Sequence, residues 1–220
     1  MIAVFDVDGT LVDTNYHHAV AWFRAFRRVG VTVPVWRIHR SIGMGGDRLV
    51  AAVAGDEVEA EHGDRVRELW ASAFAPMLTE VTLLAGARDL LLAFRERGDT
   101  VVLASSGKPE HIDHYLDLLD ARSIVQAWTT AEDVDASKPA ADLLEVALDK
   151  VKGDGDEVVT IGDSVWDCQA AERLGVPTVG VRTGGFGTEE LVEAGAAVVY
   201  EDLPEVQANL DKLPTARPKR

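Results

Sequence analysis

Apolar residues along this chain follow two alternating patterns, one typical of strands and one typical of helices. Short apolar runs with the composition of strands occur at 2–5, 100–104, 157–161, 177–181 and 196–199, with a weaker run at 124–128. Between most of these runs, apolar residues recur three and four positions apart, as they do on one face of a helix. This alternation predicts an α/β fold, a doubly wound parallel sheet with helices on both faces.

Residues 14–84 interrupt the alternation, because no run within them has a convincing strand pattern. Helices are predicted over about 14–29 and 64–74, where apolar residues lie at helical spacing. The chain is also long enough for one α/β domain and a sizeable insertion. The predicted organisation is an α/β core formed by 1–13 and 85–220, with an inserted helical domain at 14–84.

Two further features of the insertion lead to specific expectations. Residues 31–38 contain a proline and are predicted to be linking structure, and residues 41–47 form a glycine-dense turn between two helical pieces. Trp22, Trp36 and Trp70 all lie in the insertion. We predict that they are core residues, because aromatic stripes at helical spacing usually pack inside a domain.

The charge of the chain limits its partners. Its 220 residues carry a formal net charge of −15, which disfavours binding to nucleic acid or to an anionic membrane. An anionic substrate would therefore need local positive charge, either from a metal or from a few placed Lys or Arg side chains. No apolar run approaches the length of a membrane span.

Cysteine content and the start of the sequence bear on localisation. The single cysteine excludes an intramolecular disulfide and fits a reducing compartment. The first strand begins at residue 2, which leaves no room for a targeting peptide ahead of it. We therefore expect a cytoplasmic protein; the sequence leaves its oligomeric state open.

The first strand runs directly into two carboxylates, Asp6 and Asp8, followed by Gly9 and Thr10. At strand spacing the two acids point to the same side, and they repel each other unless a cation or a shared proton neutralises them. A polar turn after an edge strand would also contain such acids. The continuous apolar run instead indicates a buried parallel strand, and ligands bind at the carboxyl ends of such strands. This stretch is therefore predicted to be a functional site.

Polar side chains also occur near the ends of other predicted strands. The four clusters are Asp6 with Asp8, then Ser105, then Lys138, then Asp163 with Asp167. In a doubly wound sheet these ends converge on one crevice. An aspartate nucleophile, a hydroxyl, a cation and a second acidic pair suit phosphoryl transfer assisted by a divalent metal. Carboxylate oxygens favour Mg²⁺ over softer metals.

These clusters lie in motifs that resemble the four signatures of the haloacid dehalogenase-like hydrolase superfamily. In order, the motifs are Asp6-Val-Asp8-Gly-Thr, Leu-Ala-Ser105, Lys138-Pro139 and Gly162-Asp163-Ser164-Val-Trp-Asp167. The helical insertion resembles the first type of cap domain in that superfamily. The most similar groups are the phosphoglycolate phosphatases and the β-phosphoglucomutases, which implies a small phosphorylated metabolite as substrate.

The resemblance implies a role in the reaction for each residue that matches a motif. Asp6 is the expected nucleophile, which becomes an aspartyl phosphate, and Asp8 is the expected general acid and base. Ser105, Ser106 and Lys138 are expected to bind the transferring phosphoryl group.

The resemblance also implies a metal site and its support. Asp6, the backbone carbonyl of Asp8, and Asp163 are expected to hold Mg²⁺. Asp167 and Thr10 are expected to support the site from nearby.

Several other residues are open to two interpretations. His18 matches a position that can face the active site, although a structural histidine explains it equally well. Arg40 and Arg48 are the nearest cations to the glycine-dense turn and are candidate substrate ligands. Ser164 is either a site residue or only the N-cap of a helix. Cys168 is predicted to be a buried helix residue rather than a reactive thiol.

The expected activity is phosphate ester hydrolysis, and four alternatives are disfavoured. In mutase relatives a basic residue of the cap turn holds a second phosphate, and here the matching place is glycine, which favours a phosphatase over a phosphosugar mutase. Asp8 disfavours dehalogenases and phosphonatases, which lack the second acid. A receiver-type phospho-accepting domain is disfavoured because its acceptor Asp ends the third strand. Intact carboxylates argue against an inactive relative that only binds a partner.

Overall fold

The computed structural model describes residues 1–133, 138, 140, 142–151 and 156–219. Its centre is a sheet of six parallel strands in the order β3-β2-β1-β4-β5-β6. The strands are β1 (Ile2–Phe5), β2 (Thr100–Ala104), β3 (Ala127–Thr129), β4 (Val158–Gly162), β5 (Thr178–Val181) and β6 (Ala196–Tyr200). The predicted doubly wound α/β fold is therefore confirmed.

The central strand β1 determines where the acidic residues lie. All four of its residues are buried, and Phe5 is in register with Leu103 of β2 and Ile161 of β4. The residues that follow these strands therefore emerge side by side at one edge of the sheet, as the sequence pattern indicates.

Side chains of β1 alternate between two hydrophobic clusters, one on each face of the sheet. Phe5 packs on one face, in a cluster that includes Leu91 and Tyr115, and Val4 packs on the other, in a cluster that includes Leu143 and Leu174. The first four helices after β1 are α1 (Asn15–Arg28), α2 (Val35–His39), α3 (Gly46–Ala54) and α4 (Asp56–Phe74). Later helices are α5 (Ala87–Glu96), α6 (Pro109–Leu118), α7 (Asp142–Asp149), α8 (Val165–Leu174), α9 (Thr188–Glu193) and α10 (Leu203–Ala208).

The helices between residues 15 and 80, hereafter the helical segment, bury a third cluster of their own. It contains Trp22 and Phe26 of α1, Leu49 of α3, and Val66 and Leu69 of α4. Each helix turns an apolar stripe toward the others, so this part of the chain has a hydrophobic core of its own.

Two expectations for the helical segment were wrong. Residues 31–38 are not only linking structure, because α2 begins directly after the extended Pro34, a residue favoured ahead of or at the start of a helix. Trp36 on α2 is not a core residue, because 69% of it is exposed. Trp22, which is 3% exposed, is buried as predicted.

Smaller differences concern the ends of elements. The weak strand predicted at 124–128 starts later, because the amides of Ile124 and Val125 donate to the carbonyl of Ala121 in a turn after α6. Pro139 of the Lys138-Pro139 motif lies outside the described residues. Within the described part of the chain, no helix combines the length and apolar character needed to cross a membrane.

Candidate active site

Lys138 joins two carboxylates at the edge of the sheet. Its ammonium nitrogen donates to Oδ1 of Asp6, directly after β1, and lies 2.6 Å from Oδ1 of Asp167 on α8. All three side chains are largely buried. Asp6 lies 132 positions before Lys138 in the sequence, and Asp167 lies 29 positions after it. The three residues form one cluster because parallel strands end at the same edge of the sheet.

Asp163 forms the other half of the acidic cluster. Its carboxylate accepts hydrogen bonds from the Thr10 hydroxyl at 2.9 Å and from the Asn15 amide at 2.9 Å. Oxygens of Asp6, Asp163 and Asp167 lie within 4.8 Å of one another. Asp163 is thus fixed from the loop after β1 and from the start of α1.

The electrostatics of this cluster favour an additional cation. Burial and the neighbouring carboxylates raise the pKa of Asp6 well above its usual value, although Lys138 opposes this effect. Burial and Asp167 raise the pKa of Asp163 to about 7. One ammonium group therefore does not offset three clustered carboxylates, and their hard oxygen atoms at this spacing fit a divalent ion such as Mg²⁺.

Asp167 is held mainly by its own helix. The backbone N–H and the hydroxyl of Ser164 both donate to Oδ2 of Asp167, and Ser164 is the N-cap of α8. The helix-cap interpretation of Ser164 is therefore confirmed. Because Oδ1 of Asp167 contacts Lys138, this carboxylate has partners on both oxygens.

Asp8 lies beside the acidic cluster in a separate environment. Its Oδ1 accepts a hydrogen bond from the Thr14 hydroxyl at 2.7 Å and lies 3.1 Å from Nε2 of His18. Burial opposes ionisation of Asp8, but the hydrogen bond and charge of His18 and the hydroxyl of Thr14 outweigh it, so the pKa of Asp8 is lowered. Thr14 and His18, at the start of α1, thus orient the Asp8 carboxylate.

The two serines after β2 are placed differently. Ser105 is buried, and its hydroxyl accepts from the backbone N–H of Gly107 at 2.9 Å while its own N–H donates to Thr129. Ser106 lines the cavity described next. The Ser105 hydroxyl shapes the turn after β2, and Ser106 faces the space above the carboxylates.

A two-part cavity lies between the sheet edge and the helical segment. The inner chamber, about 70 Å³, is lined by Asp6, Asp8, His18, Ser106 and His111 and by the turn at 42–46. The outer cavity, about 630 Å³, is lined by charged residues and by parts of the helical segment. The two parts adjoin, because both are lined by Trp22, Trp70, Gly45, Gly46 and Ser106.

The glycine-dense turn covers the inner chamber. Gly43 has a φ of +100°, and a Cβ on it would lie 2.8 Å from Oγ of Ser164 and 2.9 Å from the Trp166 ring. The turn can therefore lie directly on the start of α8 only with glycine at position 43. Nearby, Nε2 of His39 donates to the carbonyl of Gly184 at 2.9 Å, which ties the helical segment to the loop after β5.

The candidate substrate residues of the helical segment lie in three places. His18 is at the inner chamber and packs on Phe74, with ring centroids 4.1 Å apart. Arg40 pairs with Glu190 and lies over the Phe186 ring, and Arg48 pairs with Asp47 at 3.8 Å. The structure does not show Arg40 or Arg48 lining either part of the cavity.

Sequence reasoning missed several residues of the site. Thr14 and Asn15 were treated only as the beginning of a helix, yet both side chains bond to site carboxylates. Two adjacent polar residues directly after an acidic motif were the available signal. Arg67 and Lys108 line the outer cavity and had no signal beyond their charge.

The remaining candidates have structural positions. Thr10 bridges Asp6 and Asp163, to which its hydroxyl oxygen is 3.2 Å and 2.9 Å away. Cys168 is buried in α8, and burial raises the pKa of its thiol to about 12, so it stays protonated at neutral pH as expected of an unreactive thiol.

Comparison with known proteins gives similarity over nearly the whole chain. A family model described as haloacid dehalogenase-like hydrolase matches residues 1–175. Validoxylamine A 7'-phosphate phosphatase from Streptomyces hygroscopicus subsp. limoneus is 28% identical over 210 residues, which are 94% of this chain and 95% of that protein. A phosphoglycolate phosphatase from Caulobacter vibrioides is 28% identical over 208 residues, covering 92% and 87% of the two chains.

A solved structure is similar as well. The crystal structure of a hydrolase from Pseudomonas syringae superposes with a TM-score of 0.90 at 32% sequence identity, and the match covers 97% of this chain and 99% of the other.

Proposed function

The chain belongs to the haloacid dehalogenase-like hydrolases, and we propose that it is a Mg²⁺-dependent phosphatase that hydrolyses a small phosphorylated metabolite through an aspartyl phosphate on Asp6. One observation carries this proposal. A buried lysine holds the Asp6 carboxylate at the floor of a cavity, and a second carboxylate, Asp8, lines the same cavity with its own hydrogen-bond partners.

In the first step, an oxygen of Asp6 attacks the phosphorus atom as the bond to the leaving oxygen breaks. Lys138 holds the attacking carboxylate in place, and Asp8 gives its proton to the leaving oxygen. The lowered pKa of Asp8 belongs to the site without substrate. A bound phosphoryl group brings negative charge, which opposes ionisation of Asp8 and favours the acid form that this step needs.

In the second step, Asp8 takes a proton from water, whose oxygen attacks the phosphorus atom of the aspartyl phosphate. The bond to Asp6 breaks and inorganic phosphate leaves, which regenerates Asp6 as the carboxylate and Asp8 as the carboxylic acid. We propose that Asp6, Asp163 and the backbone carbonyl of Asp8 hold Mg²⁺, supported by Asp167 and Thr10. The ion would supply positive charge that offsets the repulsion between Asp6 and the anionic phosphoryl group.

Further parts of the proposal concern the rest of the molecule. We propose that residues 14–84 act as a cap domain over the core formed by 1–13 and 85–220, and that Ser105 and Ser106 help to place the phosphoryl group. The turn at Gly43 supports the cap assignment, because it covers the inner chamber. The single cysteine, buried and protonated, suits the cytoplasmic localisation that we propose.

Water rather than a second sugar hydroxyl is the proposed acceptor. A mutase must hold a second phosphate. Of the two cations among the described residues that line the outer cavity, Arg67 and Lys108, the arginine is already paired with acids. Its guanidinium makes two hydrogen bonds to Glu59, at 3.0 and 2.7 Å, and another to Asp64. This pairing supports a phosphatase acting on monophosphates over a β-phosphoglucomutase-like enzyme.

The test is a turnover screen over phosphate monoesters with the purified protein. Inorganic phosphate should be released with MgCl₂ present, release should stop with excess EDTA, and added Mg²⁺ should restore it. A second assay supplies β-glucose 1-phosphate with catalytic glucose 1,6-bisphosphate. Rapid formation of glucose 6-phosphate with little free phosphate would replace the phosphatase proposal with the mutase alternative.

A further inference from the structure

Tyr115 carries a buried hydroxyl that has no hydrogen-bond partner. Its side chain is 1% exposed, and among the described residues no group forms a hydrogen bond with the phenol oxygen. Most buried polar groups in native proteins are paired, because an unpaired one destabilises the fold. A phenylalanine would fill the same space without that cost, so packing alone does not explain why position 115 is a tyrosine.

The position of Tyr115 relates it to Asp8. Tyr115 belongs to the same hydrophobic cluster as Val7 and Leu11, which lie on either side of Asp8 in the loop after β1. On α6, His111 lies one turn before Tyr115, so the two side chains share a face of the helix, and His111 lines the inner chamber together with Asp8. Burial and the nearby Asp8 carboxylate raise the pKa of Tyr115, so the phenol stays protonated and is available as a donor.

One oxygen of Asp8 is open to a further donor. The Thr14 hydroxyl, at 2.7 Å, and Nε2 of His18, at 3.1 Å, both contact Oδ1. Within the described part of the chain, no donor is hydrogen-bonded to Oδ2. Because Oδ1 already has two partners, Oδ2 is the oxygen with room to carry the proton that Asp8 gives to the leaving oxygen. Thr14 and His18 hold the carboxyl group at one oxygen only, and a donor at Oδ2 would fix the other.

We propose that Tyr115 is a positioning residue, whose hydroxyl donates a hydrogen bond to Oδ2 of Asp8 during proton transfer to the leaving oxygen. This inference rests on the proposed phosphatase function and adds a residue to it. The phenol keeps its own proton throughout. Its hydrogen bond holds Oδ2 in place and stabilises the negative charge that develops on Asp8 as the proton leaves. Hydrogen bonds of proton-transfer groups often tighten only when substrate binds, which accounts for a hydroxyl that lies near Asp8 without being bonded to it.

The main experiment measures Tyr115→Phe with two kinds of phosphate ester in the presence of Mg²⁺. The alkyl ester is phosphoglycolate or glucose 6-phosphate, whichever the wild-type enzyme hydrolyses faster, and the aryl ester is p-nitrophenyl phosphate. We expect kcat/KM, which reports the first step, to fall about 10- to 100-fold for the alkyl ester, as for loss of a hydrogen bond to a charged group. The aryl ester should lose less than about threefold, because its leaving group departs without a proton. Equal losses on both esters would overturn the proposal.

The stability of Tyr115→Phe provides a second measurement. The substitution keeps the ring and removes a hydroxyl that has no partner in the fold, so the melting temperature should equal or exceed that of the wild type. A clearly lower melting temperature, or a variant that does not fold by circular dichroism, would show that the hydroxyl supports the structure. Either result would overturn the assignment of the hydroxyl to Asp8.

A double-mutant cycle tests whether the hydroxyl acts through Asp8. In an Asp8→Ala enzyme, Tyr115→Phe should cause no further loss with the alkyl ester, because the group that it positions is already gone. A further loss of the full factor would overturn the proposal. Tyr200→Phe is the matched control. Tyr200 packs against the same hydrophobic cluster from the edge strand β6, and its variant should keep kcat/KM within about twofold for both esters.

The design separates failure of this inference from failure of the proposed function. If the wild-type enzyme with Mg²⁺ releases no phosphate from any ester, the phosphatase proposal itself is wrong. If the wild-type enzyme is active and Tyr115→Phe matches it on both esters, only the role of Tyr115 is wrong.

Discussion

The acidic cluster at the sheet edge is built from carboxylates, and the aromatic wall of the cavity is built from the stacked rings of His18, Trp22, Trp70 and Phe74. The two are held in different ways. In the acidic cluster, Asp6, Asp163 and Asp167 each have two or more polar partners, drawn from strand ends, loops and helix starts. The wall consists of rings from α1 and α4, joined by stacking. Directional bonds fix atoms within tenths of an ångström, whereas stacked rings tolerate exchange of one ring for another.

This difference indicates that the two regions have different roles. Groups that make and break bonds need fixed geometry, because small displacements of reacting atoms cost large factors in rate. Groups that select a substrate need shape and surface. We therefore expect changes in the acidic cluster to affect every substrate equally, and changes on the helical segment to redistribute activity among substrates.

The largest effect is expected from Asp6→Asn. An amide cannot attack phosphorus, so turnover of all substrates should fall at least about 10⁴-fold, as when an enzyme loses its nucleophile. The fold should remain, because Asn occupies the same volume and removes a charge from a crowded acidic cluster. Phosphate release and the melting temperature are the measurements.

The matched control for this change is Asp13→Ala. Asp13 belongs to the same loop, but it is exposed. Its variant should keep wild-type activity within about twofold, since exposed positions away from a site have small effects. An Asp6→Asn enzyme with near wild-type turnover would disprove the nucleophile assignment.

The second-largest loss of activity is expected from Asp8→Ala. Proton transfer by a placed carboxyl group contributes roughly 10²–10⁴-fold, and that factor should be lost with an alkyl phosphate. An activated aryl phosphate should show a smaller loss in its first step, because its leaving group needs less protonation. Rates measured with the two esters in parallel provide the test, and equal, small losses on both would refute the acid–base role.

The acidic cluster could be predicted from sequence because its positions follow from local pattern. Asp6 and Asp163 each come at the end of a predicted strand, and a parallel sheet brings the ends of such strands together. Phe5 at the end of β1 is in register with Leu103 of β2 and Ile161 of β4, so the residues after these three strands lie side by side. No knowledge of packing between helices is needed for this part.

The aromatic wall could not be predicted in the same way. Trp22 and Trp70 meet only because α1 and α4 pack at a particular angle, and the crossing of two helices is not encoded in either helix alone. Spacing identifies which residues lie on an apolar face but does not separate the buried side of that face from the side that borders a cavity. Arg40 shows the same limit, since its partner Glu190 is 150 positions away.

A smaller effect is expected from Asn15→Ala, which tests the boundary between the two regions. Asn15 begins α1, yet its amide bonds to the Asp163 carboxylate at 2.9 Å. Residues that orient a metal ligand are typically worth about 10- to 100-fold in metal affinity. The Mg²⁺ concentration for half-maximal activity should rise by that factor, with the maximal rate at saturating Mg²⁺ changing much less.

The control for Asn15→Ala is Asn209→Ala. The Asn209 amide donates to the carbonyl of Glu205 and accepts from Lys212, at the end of α10 and away from the acidic cluster. Its variant should keep the wild-type Mg²⁺ dependence. If Asn15→Ala instead lowers the maximal rate at every Mg²⁺ concentration, the amide acts on the reaction rather than through Asp163.

The smallest effect is expected from Arg67→Gln, on the helical-segment side of the comparison. Because the guanidinium is paired with Glu59 and Asp64, it offers little net charge to a ligand, and KM for a monophosphate should change less than about threefold. The lost pairing should lower the free energy of unfolding by about 1 kcal/mol or less, since these groups are partly exposed. Kinetics with a monophosphate and with a sugar bisphosphate, together with urea unfolding, measure both effects.

In a mutase the same variant would lose affinity for the bisphosphate by a large factor, because an arginine that holds a second phosphate makes charge-assisted hydrogen bonds to it. A selective loss of that kind would show that Arg67 leaves Glu59 to bind an anion, and would make the outer cavity a second phosphate site.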